Sequence, residues 1–128
     1  MGASEPEQVI ELFCKLFNSN DLDGLIDNLY EDDAVLIPEP GAAPLAGKAA
    51  VAEVLKGFLG TGGTISVIST KAVRSGDLAL THTHWRLDIP GADGMEAQTA
   101  EIVRRQPDGS WKYAIDNPWG SAILAAGG

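Results

Sequence analysis

Residues 100–120 read AEIVRRQPDGSWKYAIDNPWG, and this stretch is the most informative in the chain. It predicts two antiparallel strands joined by a turn at Pro107-Asp108-Gly109, because proline presets φ and glycine accepts the left-handed conformation. Each strand carries one carboxylate among apolar neighbours, Glu101 in the first and Asp116 in the second. A carboxylate inside a sheet is unfavourable unless it is paired, solvated or protonated, so we expect function to lie in this hairpin.

The bulk composition indicates one globular domain, residues 1–128, with 45% hydrophobic and 21% charged residues. A formal charge of −9 repels phosphate backbones, so we expect no nucleic-acid partner. No apolar run is long enough to span a bilayer and no basic amphipathic helix is predicted, so we expect no membrane partner. The start MGASEPEQ lacks the pattern of a signal peptide, which favours a cytoplasmic location. Cys14 lies in a helical pattern and is expected to be a buried structural thiol.

The first half of the chain predicts three helices, because apolar residues recur there at helical spacing. A capping box at residues 4–7 precedes the first helix, Asp21 caps the second, and the third ends near Gly60. A brief strand at residues 34–37 comes before the third helix. The second half changes to the composition of strands, at residues 64–73, 78–89, 96–106 and 110–117. Helices first and antiparallel strands last predict an α+β fold with the helices on one face of the sheet.

Three segments resemble the ketosteroid isomerase and SnoaL-like superfamily, which is also called nuclear-transport-factor-2-like. They are LYEDDA at 29–34, PLAGKAAV at 44–51 and WKYAIDNPW at 111–119. The last is similar to the final strand of SnoaL-like bacterial members. The resemblance implies a cone-shaped fold, with three N-terminal helices on a strongly curved antiparallel or mixed sheet, a pocket between them, and a homodimer. Members include isomerases, cyclases, dehydratases and subunit-association domains, so the fold does not determine the function.

Glu101 is the first candidate that the resemblance identifies. It corresponds to a protonated aspartic acid of the isomerases, and a glutamate kept neutral in an apolar pocket can also donate a hydrogen bond. The alternative is an ion pair with Arg104 or Arg105. The tyrosine that completes the isomerase oxyanion hole corresponds to Phe13, which has no hydroxyl. Steroid isomerisation itself is therefore not expected.

Two residues are candidates for a general base. A one-residue shift aligns Glu39 with the acidic residue that ends the first strand in the family, and the alternative is a solvated loop glutamate. The resemblance implies a pocket position for Asp116, and the alternative is a strand-end aspartate bonded to the next turn. The hairpin turn alone pairs Glu101 with Ile115, which puts the two carboxylates on opposite faces unless a β-bulge intervenes.

Alternation along residues 78–89 gives two faces, one with Leu80, His82, His84 and Arg86 and the other with Thr81, Thr83, Trp85 and Leu87. The resemblance places the first set toward the pocket. Two imidazoles there would shuttle protons, or hold a metal together with a carboxylate. The alternative puts both histidines on the solvated face and Trp85 inward.

Large side chains are expected to wall the pocket, namely Phe13, Phe17, Tyr30, Phe58, Leu80, Arg86, Val103 and Trp119. Trp111, Tyr113 and Ile115 share one face of the last strand, and a dimer would bury that face if it is convex.

The sequence therefore favours acid–base chemistry without a cofactor, of isomerase, cyclase or dehydratase type, on a small hydrophobic carbonyl compound. In this hypothesis Glu39 or Asp116 moves the proton, and His82, His84 or neutral Glu101 stabilises the oxyanion. The alternative is a non-catalytic ligand-binding or subunit-association domain.

Overall fold

A computed structural model describes residues 2–125, which form four helices and seven strands. The helices are α1 Gln8–Asn18, α2 Leu22–Leu29, α3 Lys48–Leu59 and α4 Ala122–Ala125. The strands are β1 Tyr30–Leu36, β2 Leu45–Ala46, β3 Thr64–Ser75, β4 Leu78–Asp88, β5 Met95–Gln98, β6 Ala100–Arg105 and β7 Trp111–Asn117. Residue 1 and residues 126–128 lie outside the described residues.

All the strands belong to one curled sheet in the order β2-β1-β7-β6-β4-β3, with β5 pairing β4 beside β6. The β1–β7 pair is parallel and the other pairs are antiparallel, so the sheet is mixed. Helix α1 packs on β3, α3 packs on β1, and α2 contacts α1, α3 and β7. We call the sheet face under these helices the inner face and the opposite one the outer face. The predicted α+β fold with three N-terminal helices is confirmed.

The helix starts show how local chemistry sets the element boundaries. Asp21 caps α2 as predicted, because its Oδ1 accepts from the Gly24 backbone N–H at 2.9 Å. The capping box predicted at residues 4–7 is wrong, since Glu7 makes no side-chain cap. Instead the Gln8 side-chain oxygen accepts from the Ser4 backbone N–H at 3.0 Å and from its hydroxyl at 2.6 Å.

The turn between β6 and β7 has the predicted form. Gly109 takes the left-handed conformation with φ of 88°, and its N–H donates to the Gln106 carbonyl at 2.9 Å. Gln106 pairs with Ser110 through a 2.7 Å bond from its own N–H. Regular pairing then continues only as far as Val103.

A β-bulge in β7 changes the register beyond that point. Val103 pairs with Tyr113, but the next residue of β6, Ile102, pairs with Ile115, so Ala114 is the extra residue of β7. Because the alternation of β7 is interrupted there, Trp111 and Tyr113 face the helices and are buried, while Ile115 faces outward. The prediction that Trp111, Tyr113 and Ile115 share one face of the last strand is therefore wrong.

Candidate functional site

The bulge brings the two carboxylates of the hairpin together. Glu101 and Asp116 are direct cross-strand partners, with 3% and 4% of their surface exposed. Burial raises the pKa of both carboxyl groups, and each lies close enough to shift the pKa of the other. Two carboxylates side by side in a buried site repel each other, so we expect the pair to hold one proton between them.

Two threonine hydroxyls fix the orientation of Glu101. Its Oε1 atom accepts from the Thr81 hydroxyl at 3.0 Å and from the Thr99 hydroxyl at 2.9 Å. Thr99 separates β5 from β6, so the single strand predicted over residues 96–106 is broken there. The Thr99 hydroxyl also accepts from the Thr83 backbone N–H at 2.8 Å, which holds it in place. With Oε1 accepting twice, a proton on Glu101 belongs on Oε2.

Two buried tyrosines complete the site. The Tyr30 hydroxyl donates to Asp116 Oδ2 at 2.6 Å, and burial together with the nearby Glu101 raises the pKa of the Tyr113 hydroxyl. The two rings pack with centroids 5.0 Å apart. Each carboxyl group thus has a phenol beside it, in addition to the other carboxyl group.

The environment makes Glu101 the acid of the pair. Burial is the largest cause that raises the pKa of Glu101 well above its ordinary value. The nearby Asp116 adds to this shift, and the hydrogen bonds from the two threonine hydroxyls oppose it. Burial also raises the pKa of Asp116, but the hydrogen bonds from Tyr30 and Glu101 oppose it. The two carboxyl groups therefore titrate as one coupled pair, in which Asp116 is the group favoured to ionise first.

A cavity of about 50 Å³ lies against this pair, between the helices and the inner face. Glu101, Asp116, Tyr113 and Thr99 form its polar side, and apolar side chains from α1, α3, β3 and β4 form the rest. A single buried water needs roughly 15 Å³, so the space accommodates a small group and not a large ligand. The site is an apolar cavity with one acid–carboxylate pair in its wall.

Several of the predicted wall residues lie where the sequence placed them. Phe13, Phe17 and Phe58 line the cavity. Trp119 packs beside it, with its ring centroid 6.3 Å from that of Phe58, and Tyr30 reaches the site through Asp116. Val103 is fully buried in the core and does not line the cavity.

The prediction that Leu80, His82, His84 and Arg86 face the pocket is wrong. All four lie on the outer face, since Thr81, Thr83 and Trp85 alternate with them and are buried. Two of the four have polar side-chain partners on that face. Arg86 Nε donates to Asp88 at 2.8 Å, and His84 Nε2 lies 3.2 Å from Glu96 Oε1.

Glu39 does not join the carboxyl pair. It is an exposed residue of the loop after β1 and does not line the cavity, which agrees with the solvated alternative. Tyr113, Thr81 and Thr99 are the site residues that the sequence reasoning missed. The alternation of β4 could have identified Thr81, because the face with Thr81, Thr83 and Trp85 was the alternative inward face of that strand.

Other chemistry receives less support. Burial raises the pKa of the Cys14 thiol to about 11, as expected for a structural cysteine. Within residues 2–125, no group of three or more histidine, cysteine, aspartate or glutamate side chains is placed to hold a metal ion. No helix in that part of the chain has the length and apolar character needed to cross a membrane.

The family follows from a comparison with family models. The model of the SnoaL-like domain matches residues 10–114, which is most of the described chain. The match includes Glu101 and ends two residues before Asp116. The chain therefore belongs to the SnoaL-like domain family, within the nuclear-transport-factor-2-like superfamily. Among proteins with curated descriptions, none matches the chain significantly.

Solved structures show the same fold. A candidate calcium/calmodulin-dependent protein kinase type II association domain from Thiobacillus denitrificans ATCC 25259 is 25% identical, with a TM-score of 0.71 over 91% of this chain and 95% of that one. An NTF2-like protein of unknown function from Pseudomonas putida KT2440 is 24% identical, with a TM-score of 0.72 over 86% and 80%. A candidate dehydratase of the NTF2-like family from Streptomyces avermitilis is 16% identical, with a TM-score of 0.71 over 87% and 90%, and shows the fold alone.

Proposed function

We propose that this protein catalyses proton transfer on a small hydrophobic carbonyl compound, in a reaction of isomerase, cyclase or dehydratase type that uses the Glu101–Asp116 pair. The observation that carries the proposal is the pair itself, two buried carboxyl groups that are direct cross-strand partners at the wall of an apolar cavity. Burying ionisable groups is unfavourable, and such pairs concentrate at functional sites.

Each member of the pair has a distinct role. Asp116, the carboxylate, removes a proton from the carbon next to the carbonyl group, so the C–H bond breaks and an enolate forms. The Glu101 carboxylic acid then donates its hydrogen bond to the enolate oxygen instead of to Asp116. The Tyr113 hydroxyl donates a second hydrogen bond to the same oxygen. Protonated Asp116 returns the proton to another carbon in isomerisation, or to a departing hydroxyl in dehydration.

The cavity limits the substrate. With a volume of about 50 Å³ it admits the reacting end of a small molecule. Phe13, Phe17 and Phe58 supply an aromatic wall for the apolar part of that molecule. Phe13 has no hydroxyl, so the oxyanion donors come from the sheet and not from α1.

Hydrogen–deuterium exchange tests this proposal without a known product. The protein is incubated in D₂O with a panel of small ketones, and loss of the α-proton signals is followed by NMR. We expect catalysed exchange with at least one ketone, and a decrease of roughly 10²–10⁴-fold in Asp116→Asn. Glu39→Gln is the matched control, because it removes an exposed carboxylate outside the cavity, and its rate should equal that of the wild type.

Two results would contradict the proposal. One is a lack of exchange above the buffer rate with every ketone of the panel. The other is an unchanged rate in Asp116→Asn with a circular dichroism spectrum like that of the wild type, since catalysis would then not use the pair.

A second candidate function, subunit association, is favoured by the outer face of the sheet. Cross-strand pairing aligns Val73 with Leu80, Leu80 with Ile102, Ile102 with Ile115, and Ile115 with Val35. Val73 is 67% exposed, Ile115 43% and Leu80 38%. An apolar row across five strands is typical of a surface buried against a partner, and the relative from Thiobacillus denitrificans is described as a candidate association domain.

A homodimer through this row is compatible with either function. The row is self-complementary in composition, as a two-fold interface requires. Sedimentation of the wild type should give twice the monomer mass, and Ile115→Lys should reduce it to the monomer. A wild type that is monomeric at high concentration would remove the association function.

A further inference from the structure

A second cavity, unlike the first, is open, and both polar and apolar side chains line it. It lies on the outer face between α4 and the hairpin β3–β4, and its volume is about 630 Å³. Lys71, His82 and His84 line it, together with the polar side chains of Ser69, Gln98 and Ser121. We call this cavity the outer groove. It has room for a whole small molecule, whereas the inner cavity of about 50 Å³ does not.

The outer groove brings a lysine and the chain's two histidines together in a chain whose formal charge is −9. Lys71 on β3 is the direct cross-strand partner of His82 on β4. Within residues 2–125, Lys71 forms no ion pair with a carboxylate, whereas Lys48 and Arg105 each do. A free ammonium group beside two imidazoles is complementary to an oxyanion.

The hydrogen bonds of His82 fix how it would meet such an anion. Its Nδ1 lies 2.9 Å from the Thr99 carbonyl oxygen, which can only accept, so Nδ1 carries the hydrogen. Nε2 is therefore the atom left to take up a proton and donate to a bound ligand. His84 is held differently, since its Nε2 faces Glu96 Oε1 at 3.2 Å.

We propose that the outer groove binds a small molecule with an oxyanion head, a carboxylate or a phosphate, between Lys71 and His82. Ser69 and Ser121 supply further hydroxyl donors at the sides of the groove. Ile123 and Leu124 of α4 form an apolar wall for a short hydrocarbon portion of the ligand, and Leu124 is 79% exposed without it. This site is on the opposite face from the carboxyl pair and does not depend on the proposed catalysis.

Binding of an anion is linked to the protonation of His82. A negative group at Nε2 accepts its strongest hydrogen bond from the imidazolium form. The other charged groups near it are Lys71 on β3, His84 on β4 and Glu96 on β5, while residues 122–125 of α4 carry no charged side chain. An anion bound between Lys71 and His82 offsets the repulsion between the ammonium group and a protonated imidazole.

NMR titration of the two histidines in the full chain tests the proposal, with inorganic phosphate and butyrate as the probes. Phosphate tests the head group alone, and butyrate tests a carboxylate head with a short apolar tail. Butyramide has nearly the shape of butyrate without its charge and is the matched control ligand. We expect saturable shifts of the His82 ring signals with at least one anion, and no saturable shift with butyramide.

Variants separate the groove from general charge effects. Lys71→Gln should weaken binding of the anion about tenfold, because it removes one charge-assisted hydrogen bond. Lys56→Gln removes an exposed charge on α3, away from the groove, and should leave the affinity unchanged. Equal binding of butyrate and butyramide, equal loss of affinity in both lysine variants, or an absence of saturable shifts with both anions would overturn the proposal. Deuterium exchange of ketones is a separate measurement, so failure here and failure of the proposed catalysis are distinguishable.

Discussion

Glu101 and Asp116 face each other across β6 and β7 because Ala114 adds one residue to β7. Without that bulge, Glu101 would pair with Ile115 and the two carboxylates would lie on opposite faces. The bulge therefore creates the acid–carboxylate pair on which the proposed chemistry depends.

The raised pKa of Glu101 predicts how stability changes with pH. Below the ordinary glutamate pKa of 4.5, the folded and unfolded states both hold the proton. As pH rises above that value, the unfolded state releases the proton while the folded state retains it. The free energy of unfolding should therefore fall by up to roughly 1.4 kcal/mol per pH unit until Glu101 itself ionises.

Denaturant unfolding of the wild type and Glu101→Gln across the acid and neutral range measures this contribution. Glutamine is neutral at every pH, so the variant should lose that part of the pH dependence. Subtracting the two curves removes the contribution of the acidic residues outside the pair. Parallel curves would show that Glu101 does not hold its proton in the folded state.

Tyr30→Phe removes the hydroxyl that donates to Asp116 at 2.6 Å. Loss of a buried hydrogen bond to a charged group should reduce the free energy of unfolding by about 2 kcal/mol. It should also raise the pKa of Asp116, because this bond lowers it. Carboxyl carbon NMR follows the second effect, and an unchanged Asp116 titration would mean that the bond does not stabilise the carboxylate.

Thr99→Val tests the residue that interrupts the predicted long strand. Valine has the shape of threonine but cannot donate to Glu101 or accept from the Thr83 N–H. We expect a loss of about 2 kcal/mol in unfolding free energy and a further rise in the pKa of Glu101, which the hydroxyl lowers. Thr99→Ser keeps the hydroxyl and should retain the pKa of Glu101. If valine and serine give the same titration, the hydroxyl has no electrostatic role.

The order of the elements was predictable from sequence because it depends on local periodicity. The apolar spacing of α1, α2 and α3 and the turn at residues 107–109 were sufficient for the fold class. The inward face of β4 was not predictable, because Leu80 and Trp85 make both alternating sets of side chains partly apolar. Which set faces the core then depends on tertiary packing. The bulge at Ala114 has no glycine to mark it, so the sequence could indicate that a bulge was needed but not where it lies.

The most direct test of the central claim is a carboxyl carbon NMR titration of Glu101 and Asp116, assigned with Glu101→Gln and Asp116→Asn. The two groups should titrate as a coupled pair, with Glu101 releasing its proton well above the ordinary glutamate range. Removing either partner should change the titration of the other. If both groups ionise independently at ordinary values, they share no proton, and the proposed acid–carboxylate chemistry is wrong.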